Sequence, residues 1–104
     1  MEVLDVSGRT LTLEIVTPQG VSMEETNIDA VVVRRRERAF LGSELEILPR
    51  HAPLLARVAP CKVRFYRGPE THRVDIDGGF LEVKNDRVTL VTTGALLNYE
   101  EDSA

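Results

Sequence analysis

This 104-residue sequence has few of the cysteine and histidine side chains that nucleophilic and zinc sites most often use. The sequence contains one cysteine, Cys61, and two histidines, His51 and His72. A nucleophilic site requires a Ser, Thr or Cys beside a base and an orienting acid, and neither histidine lies in a motif of that kind. The two histidines are far apart and have no clustered carboxylates, which disfavours a zinc site. We therefore predict neither a catalytic residue nor a metal.

The cysteine and the glycines further restrict the chemistry. A single cysteine cannot form an internal disulfide, and Cys61 beside Pro60 is interpreted as a small apolar residue at the start of a strand. The seven glycines are dispersed, and only Gly78 and Gly79 are adjacent, so no glycine-rich loop that could hold phosphate is predicted. The sequence predicts no bound cofactor and fits a reducing compartment.

The charge balance disfavours nucleic acid as a partner. The 13 Lys and Arg residues are outnumbered by 17 Asp and Glu, which gives a net charge of −4, and aromatic residues make up only 5% of the chain. The basic run Arg34–Arg38 is interpreted as a solvated loop, with attraction of an acidic surface as the alternative.

The longest uncharged apolar stretch, Ala30–Val33, is far shorter than the ~20 residues of a membrane-spanning helix, and no signal peptide is evident. We expect a soluble chain that stays where it is made.

Short alternating segments predict β-strands. Leu11, Leu13 and Ile15 recur with a period of two, which indicates a strand with one buried face. Further strand segments are predicted at Val21–Glu24, Ile28–Val33, Leu54–Val58, Val63–Tyr66, around Val74 and Ile76, at Phe80–Lys84 and at Arg87–Thr92. The Asn85-Asp86 pair predicts a hairpin turn, and Gly78-Gly79 predicts a strand break, a bulge or a close backbone approach.

Strands separated by turns about every 8–12 residues predict an all-β fold, a two-sheet antiparallel β-sandwich of about ten short strands. We expect one domain at residues 10–95, an amino-terminal arm at residues 1–9 and an acidic tail at residues 96–104. Between the strands, Pro49 and Pro53 predict a loop of fixed, irregular shape, because proline fixes φ and removes a backbone donor.

A motif in that loop gives the chain a family resemblance. The segment Leu45–Leu55, LEILPRHAPLL, resembles the Ile-Leu-Pro-x-His-Ala-Pro-Leu-Leu signature of the epsilon subunit of F-type ATP synthases. Other segments are similar to the family in the same order, namely LEIVTPQG at residues 13–20, VVV at 31–33, DGGFLEV at 77–83 and VTLV at 88–91. The resemblance covers about residues 11–95.

The resemblance implies a non-catalytic rotor subunit of the central stalk. In this family the amino-terminal β-sandwich links the gamma subunit to the polar loops of the c-ring, and so helps to couple ion transport to ATP synthesis. Other F1 subunits are implied as partners. The implied location is peripheral, at the cytoplasmic face of the bacterial inner membrane.

The resemblance also implies binding residues. By position, Glu44, Arg50 and His51 belong to the loop that faces the c-ring, and the alternative for His51 is a loop histidine bonded to a nearby carbonyl. For the gamma-facing surface we expect the strand face that carries Phe80 and the edges near Val74 and Ile76.

The sequence departs from the family pattern in two ways. Ser43, Glu46 and Arg50 replace glycines of the family loop, and the stretch of residues 34–42 is longer than usual. Family members continue into a pair of carboxy-terminal helices that inhibits ATP hydrolysis and, in some bacteria, binds ATP. This sequence ends soon after the sandwich, so we expect assembly and coupling without that regulation.

Two other functions are considered. One is a free-standing β-sandwich adaptor whose basic run binds an acidic protein. The other is a small hydrolase that uses His51, which rests on a lone histidine and is the least supported.

Overall fold

The predicted first strand forms, and its alternation separates a buried face from an outer face. In the computed structural model, which describes residues 9–36 and 44–98, β1 spans Leu11–Thr17. Leu11, Leu13 and Ile15 have no exposed surface, whereas the residues between them are partly exposed. This is the burial that a period of two produces when a sheet packs on one side.

The described residues form ten strands in two five-stranded sheets. The first sheet has the order β2-β1-β9-β8-β5 and the second has the order β10-β7-β6-β3-β4. The remaining strands are β2 (Gly20–Ile28), β3 (Ala30–Arg34), β4 (Glu44–Ile47), β5 (Leu54–Val58), β6 (Cys61–Arg67), β7 (Glu70–Ile76), β8 (Gly79–Lys84), β9 (Arg87–Val91) and β10 (Ala95–Asn98). The predicted all-β, two-sheet sandwich is confirmed.

One strand pair departs from the antiparallel prediction. The strands β1 and β9 are parallel, with Leu13 opposite Val88 and Ile15 opposite Leu90. Between them the chain crosses to the second sheet twice, for β3–β4 and for β6–β7, and then returns to the first sheet at β8. A hairpin then reverses the chain, so that β9 is antiparallel to β8 and runs in the direction of β1. All other described strand pairs are antiparallel.

The run Ile28–Val33 is not one strand, as the sequence pattern had indicated. Asn27 has a φ of 58°, β2 ends at Ile28, and β3 begins at Ala30. Between them the Asp29 N–H donates to the Tyr66 carbonyl at 2.7 Å. The chain changes sheets at this point, and the left-handed residue just before it supplies the change of direction.

The core lies between the inner faces of the two sheets. It is formed by apolar side chains of β1, β2, β5, β8 and β9 on one side and of β3, β4, β6 and β7 on the other. Its fully buried members include Phe65, Ile28, Ile47, Leu81 and Leu90. Apolar burial of this kind is the dominant favourable term in folding.

Two of the expected segments lie largely outside the described residues. Only Arg9 of the amino-terminal arm is described, and the tail is described to Asn98. Strand β10 pairs antiparallel with β7 from Ala95 to Asn98, so the second sheet extends past residue 95.

Candidate partner-binding surfaces

The loop between β4 and β5, residues 48–53, contains a hydrogen-bonded turn. The His51 N–H donates to the Leu48 carbonyl at 3.1 Å, and Arg50 between them has a φ of 71°. The His51 Nδ1 donates to the Ala52 carbonyl at 2.7 Å. The carbonyl contact proposed as the alternative for His51 is therefore present, and contact of this residue with a ring stays a prediction.

The 48–53 loop is attached to the β8–β9 turn. The Arg50 N–H donates to Asp86 Oδ1 at 2.6 Å, and Arg9 Nε donates to Asp86 Oδ2 at 3.0 Å. Arg9, Arg50 and His51 line an open cavity of about 370 Å³ together with Pro53, Asn85 and Asp86. The sequence analysis did not name Asp86 as a site residue, although the Asn-Asp pair predicted a turn at this position.

Glu44 lies apart from Arg50 and His51. It begins β4 opposite Arg34 and accepts a hydrogen bond from Arg64 at 2.8 Å. It borders a different cavity, of about 280 Å³, on the second sheet. The structure thus brings together Arg50 and His51 but not Glu44, because β4 separates Glu44 from the loop.

The basic run has a structural role in its described part, residues 34–36. The Ala59 N–H donates to the Arg34 carbonyl and the Arg36 N–H donates to the Arg57 carbonyl, each at 2.9 Å. Arg35 forms an antiparallel bridge with Val58. The backbone of the run therefore joins the end of β3 in the second sheet to β5 in the first. Glu37, Arg38 and Ser43 lie outside the described residues.

Val74 and Ile76 point into the core. Their side chains are 1% and 4% exposed, whereas Phe80 is 58% exposed on the opposite sheet. Side chains buried between the sheets are not available to a partner of the folded domain. Of the three residues expected on the gamma-facing surface, only Phe80 is presented to solvent.

Phe80 belongs to an apolar row that crosses the outer face of the first sheet. Val21, Val16, Val91 and Phe80 are consecutive cross-strand partners on β2, β1, β9 and β8. Val21, Val91 and Phe80 are 59%, 48% and 58% exposed. We call these four residues the apolar row. Paired residues of neighbouring strands project to the same side of a sheet, so the four side chains form one continuous strip.

A cation and a groove border the apolar row. The Arg57 guanidinium lies over the Phe80 ring, 5.8 Å from its centroid. A groove of about 410 Å³ runs beside Phe80 and Val91 and is also lined by Pro18, Gly78 and Gly79. An exposed aromatic ring next to a concave apolar surface is the usual composition of a protein-binding hot spot.

The other candidate reactive residues have structural surroundings. The His72 ring stacks on Phe65, with ring centroids 5.0 Å apart, and its Nε2 lies 3.1 Å from Glu70 Oε1. Burial raises the pKa of the Cys61 thiol, which favours its neutral form. Within residues 9–36 and 44–98, no three His, Cys, Asp or Glu side chains are grouped in a way that could hold a metal ion. The same residues contain no helix long and apolar enough to cross a membrane.

Comparison with known proteins gives consistent matches. Residues 10–98 match the family model described as ATP synthase, Delta/Epsilon chain, beta-sandwich domain. The chain is 39% identical over 88 residues to the ATP synthase epsilon chain of Alkalihalophilus pseudofirmus. The aligned residues cover 85% of this chain and 62% of that relative. It is 39% identical over 93 residues to the ATP synthase epsilon chain of Halalkalibacterium halodurans. Here the aligned residues cover 89% of this chain and 65% of that relative. The chain thus spans less than two thirds of the length of either.

Two solved structures share the fold. One is a chain of the Euglena gracilis mitochondrial ATP synthase, OSCP/F1/c-ring in rotational state 1, with a TM-score of 0.72, 20% identity, and coverage of 93% of this chain and 61% of that chain. The other is a chain of the Tetrahymena thermophila mitochondrial ATP synthase central stalk and c-ring, with a TM-score of 0.66, 12% identity, and coverage of 85% and 66%. At these identities the likeness establishes the fold.

The two-sheet architecture defines a β-sandwich domain that presents the apolar row on one outer face. The family match extends over residues 10–98, which include every described strand. The chain belongs to the family of ATP synthase delta/epsilon chains, in their beta-sandwich domain.

Proposed function

We propose that this chain is a non-catalytic central-stalk subunit of a rotary ATP synthase. Its sandwich links a gamma subunit to the c-ring and takes part in coupling ion transport to ATP synthesis. The observation that carries the proposal is the family match over residues 10–98, supported by relatives named ATP synthase epsilon chain. The bacterial origin of these relatives supports a peripheral position at the cytoplasmic face of the inner membrane, with other F1 subunits nearby.

The apolar row is the proposed gamma-binding surface. It supplies an exposed aromatic side chain, two exposed valines and an adjoining groove on one face, which is more apolar area than isolated surface residues provide. Arg57 over the ring adds a donor at the edge of the strip. A standard interface buries about 1,600 Å² in total, so the surrounding polar residues of the first sheet would form its rim.

The 48–53 loop is the proposed ring-facing surface. Arg50 and His51 lie at the end of the sandwich formed by the β8–β9 turn and the start of β1, away from the apolar row. Glu44 is proposed as a second, separate contact, since it lines another cavity. Polar loop residues suit contact with the polar loops of a c-ring because they keep their hydration until binding.

The test is co-purification of the full chain with its cognate gamma subunit. The parent chain should form a stable complex, and Phe80→Ala should weaken it about tenfold or more, because aromatic anchors dominate such interfaces. Leu48→Ala is the matched control, since Leu48 is also an exposed apolar residue, at 49%, but lies in the 48–53 loop.

The control should bind gamma as the parent does. A folded parent chain that forms no complex with gamma would overturn the proposal. The adaptor that binds an acidic partner through the basic run would then become the leading hypothesis.

A further inference from the structure

The β8–β9 turn has an aspartate at a position where glycine is the favoured residue. Lys84 pairs with Arg87, so Asn85 and Asp86 form a two-residue turn, with φ values of 53° and 61°. A positive φ at both central positions is the type I′ turn, for which Asn-Gly is strongly favoured. Asp86 occupies the position where glycine would fit with less strain. The turn itself therefore tolerates an aspartate but does not require one.

The Asp86 carboxylate joins three parts of the chain. Its Oδ1 accepts from the Arg50 N–H at 2.6 Å, and its Oδ2 accepts from Arg9 Nε at 3.0 Å. The side chain is only 14% exposed although it lies in a turn. The Asp86 carbonyl also accepts from the Thr12 N–H at 2.9 Å, but any residue could make that bond. Only the carboxylate contacts require this side chain, and charge-assisted bonds of this kind are the stronger ones.

The residue that Asp86 holds is itself in a left-handed conformation. Arg50 has a φ of 71°, which is uncommon for a residue with a side chain. Such a conformation persists when surrounding contacts determine it. The N–H bond to Asp86 is a contact of that kind, and it lies one residue before His51.

We propose that Asp86 is a positioning residue for the 48–53 loop. Its carboxylate keeps Arg50 in the left-handed conformation and thereby sets the direction in which His51 and the Arg50 side chain face a partner. This inference rests on the proposed function in naming the c-ring as that partner. The attachment of the loop to the β8–β9 turn can be tested without the ring.

The first test uses Asp86→Gly in the full chain. This variant gives the turn the Asn-Gly sequence that type I′ favours, so the hairpin should be retained while the carboxylate is lost. We expect the Arg50 amide hydrogen to exchange with solvent about tenfold faster or more, with no change at the Leu90 amide in β9. An Arg50 amide that exchanges as in the parent would overturn the proposal.

Two further variants separate the contacts. Asp86→Asn keeps an oxygen that can accept from the Arg50 N–H, so its exchange should lie between those of the parent and Asp86→Gly. Arg9→Ala removes the other partner of the carboxylate and should leave the Arg50 amide close to the parent. Equal effects from Arg9→Ala and Asp86→Gly would show a general loosening and would contradict a specific role for the Arg50 bond.

The second test compares binding to gamma alone with binding to a gamma–c-ring complex. Asp86→Gly should bind gamma alone as tightly as the parent does. Its affinity for the gamma–c-ring complex should be about tenfold lower than that of the parent. Equal affinity of parent and variant for the gamma–c-ring complex would overturn the positioning role, and so would an equal loss on gamma alone. Failure of the parent to bind gamma would refute the proposed function instead, and amide exchange would still decide whether Asp86 holds the loop.

Discussion

Gly79 lies where the structure leaves no room for a side chain. It has a φ of 148°, and a Cβ built on it would overlap the Val91 carbonyl oxygen. The neighbouring Gly78 has a φ of 90°, and a Cβ there would approach the Val58 carbonyl oxygen to 2.9 Å. The predicted close backbone approach at this glycine pair is therefore present, and it forms one wall of the groove beside Phe80.

Gly79→Ala should lower the free energy of unfolding by about 3 kcal/mol or more, because the Cβ meets fixed backbone and φ is unfavourable for alanine. Urea denaturation measures the change. Gly68→Ala is the control, because Gly68 also has a positive φ, 59°, but its Cβ would meet nothing within 4 Å. Gly68→Ala should lower the free energy of unfolding by about 1–2 kcal/mol, because only the backbone strain of a positive φ is added. Equal losses in the two variants would contradict the steric argument.

Cys61 should make stability depend on alkaline pH. Burial raises the pKa of its thiol in the folded state, so its contribution is present below the unfolded pKa and is lost as pH rises through the folded pKa. The free energy of unfolding of the parent should therefore fall relative to that of Cys61→Ala as pH rises above the ordinary thiol pKa of about 8.5. Groups that titrate in both proteins cancel in this difference. A difference that is constant or grows with pH would contradict the assignment.

The sequence could name candidate site residues but not the contacts that surround them. The loop motif located Arg50 and His51, which the structure does bring together. Alternation put Val74 and Ile76 on one face of a strand, but a period of two does not tell which face is buried. The role of Asp86 depends on contacts with Arg9 and Arg50, which are distant in sequence, so no local pattern could reveal it.

At the scale of elements, Arg67 connects the two sheets. It ends β6 of the second sheet and donates from Nη2 to Glu25 Oε1 at 2.6 Å and to the Thr26 carbonyl at 3.0 Å, both in β2 of the first sheet. Its Nε lies 3.3 Å from the same carbonyl. The planar guanidinium satisfies a carboxylate and a backbone carbonyl at once, which a lysine cannot reproduce.

Arg67→Ala should lower the free energy of unfolding by about 1–2 kcal/mol, since hydrogen bonds to a charged group between two elements are lost. Arg67→Lys should recover part of this loss. Lys62→Ala is the control, because its pair with Asp75 joins neighbouring strands of one sheet with both side chains well exposed, and it should cost about 0.5 kcal/mol or less. A loss for Lys62→Ala as large as for Arg67→Ala would remove the distinction between the two pairs.

The strands were predicted more reliably than their connections. Alternation and turn residues were sufficient to locate β1 and the β8–β9 hairpin, because both signals are local. The break within Ile28–Val33 was missed because the apolar run continues while the chain changes sheets at Asp29. The parallel pairing of β1 with β9 was missed for a similar reason, since two distant segments become neighbours only in the complete sandwich.

At the scale of the whole molecule, the two proposed binding surfaces are separate. Phe80 and Asp86 lie at opposite ends of one hairpin, roughly 15 Å apart given the rise of a strand. A rigid sandwich can therefore contact one partner through the apolar row and another through the 48–53 loop. This arrangement suits a subunit that bridges two components.

The separation predicts additivity. In binding to a gamma–c-ring complex, the losses caused by Phe80→Ala and by Asp86→Gly should sum in the double variant to within about 0.5 kcal/mol, because the sites share no partner residue. Titration calorimetry of the parent, both single variants and the double variant measures the cycle. A coupling above about 1 kcal/mol would show that the two surfaces are energetically connected.

The parallel pair of β1 and β9 also bears on how the chain is made. During synthesis β1 and β2 leave the ribosome before the other strands of the domain, and the edge of β1 that later pairs with β9 stays open until residues 87–91 have emerged. The first sheet therefore closes only after almost the entire domain has emerged. An open strand edge of this kind can pair with another chain, so we expect the domain to be most prone to aggregation before β9 is in place.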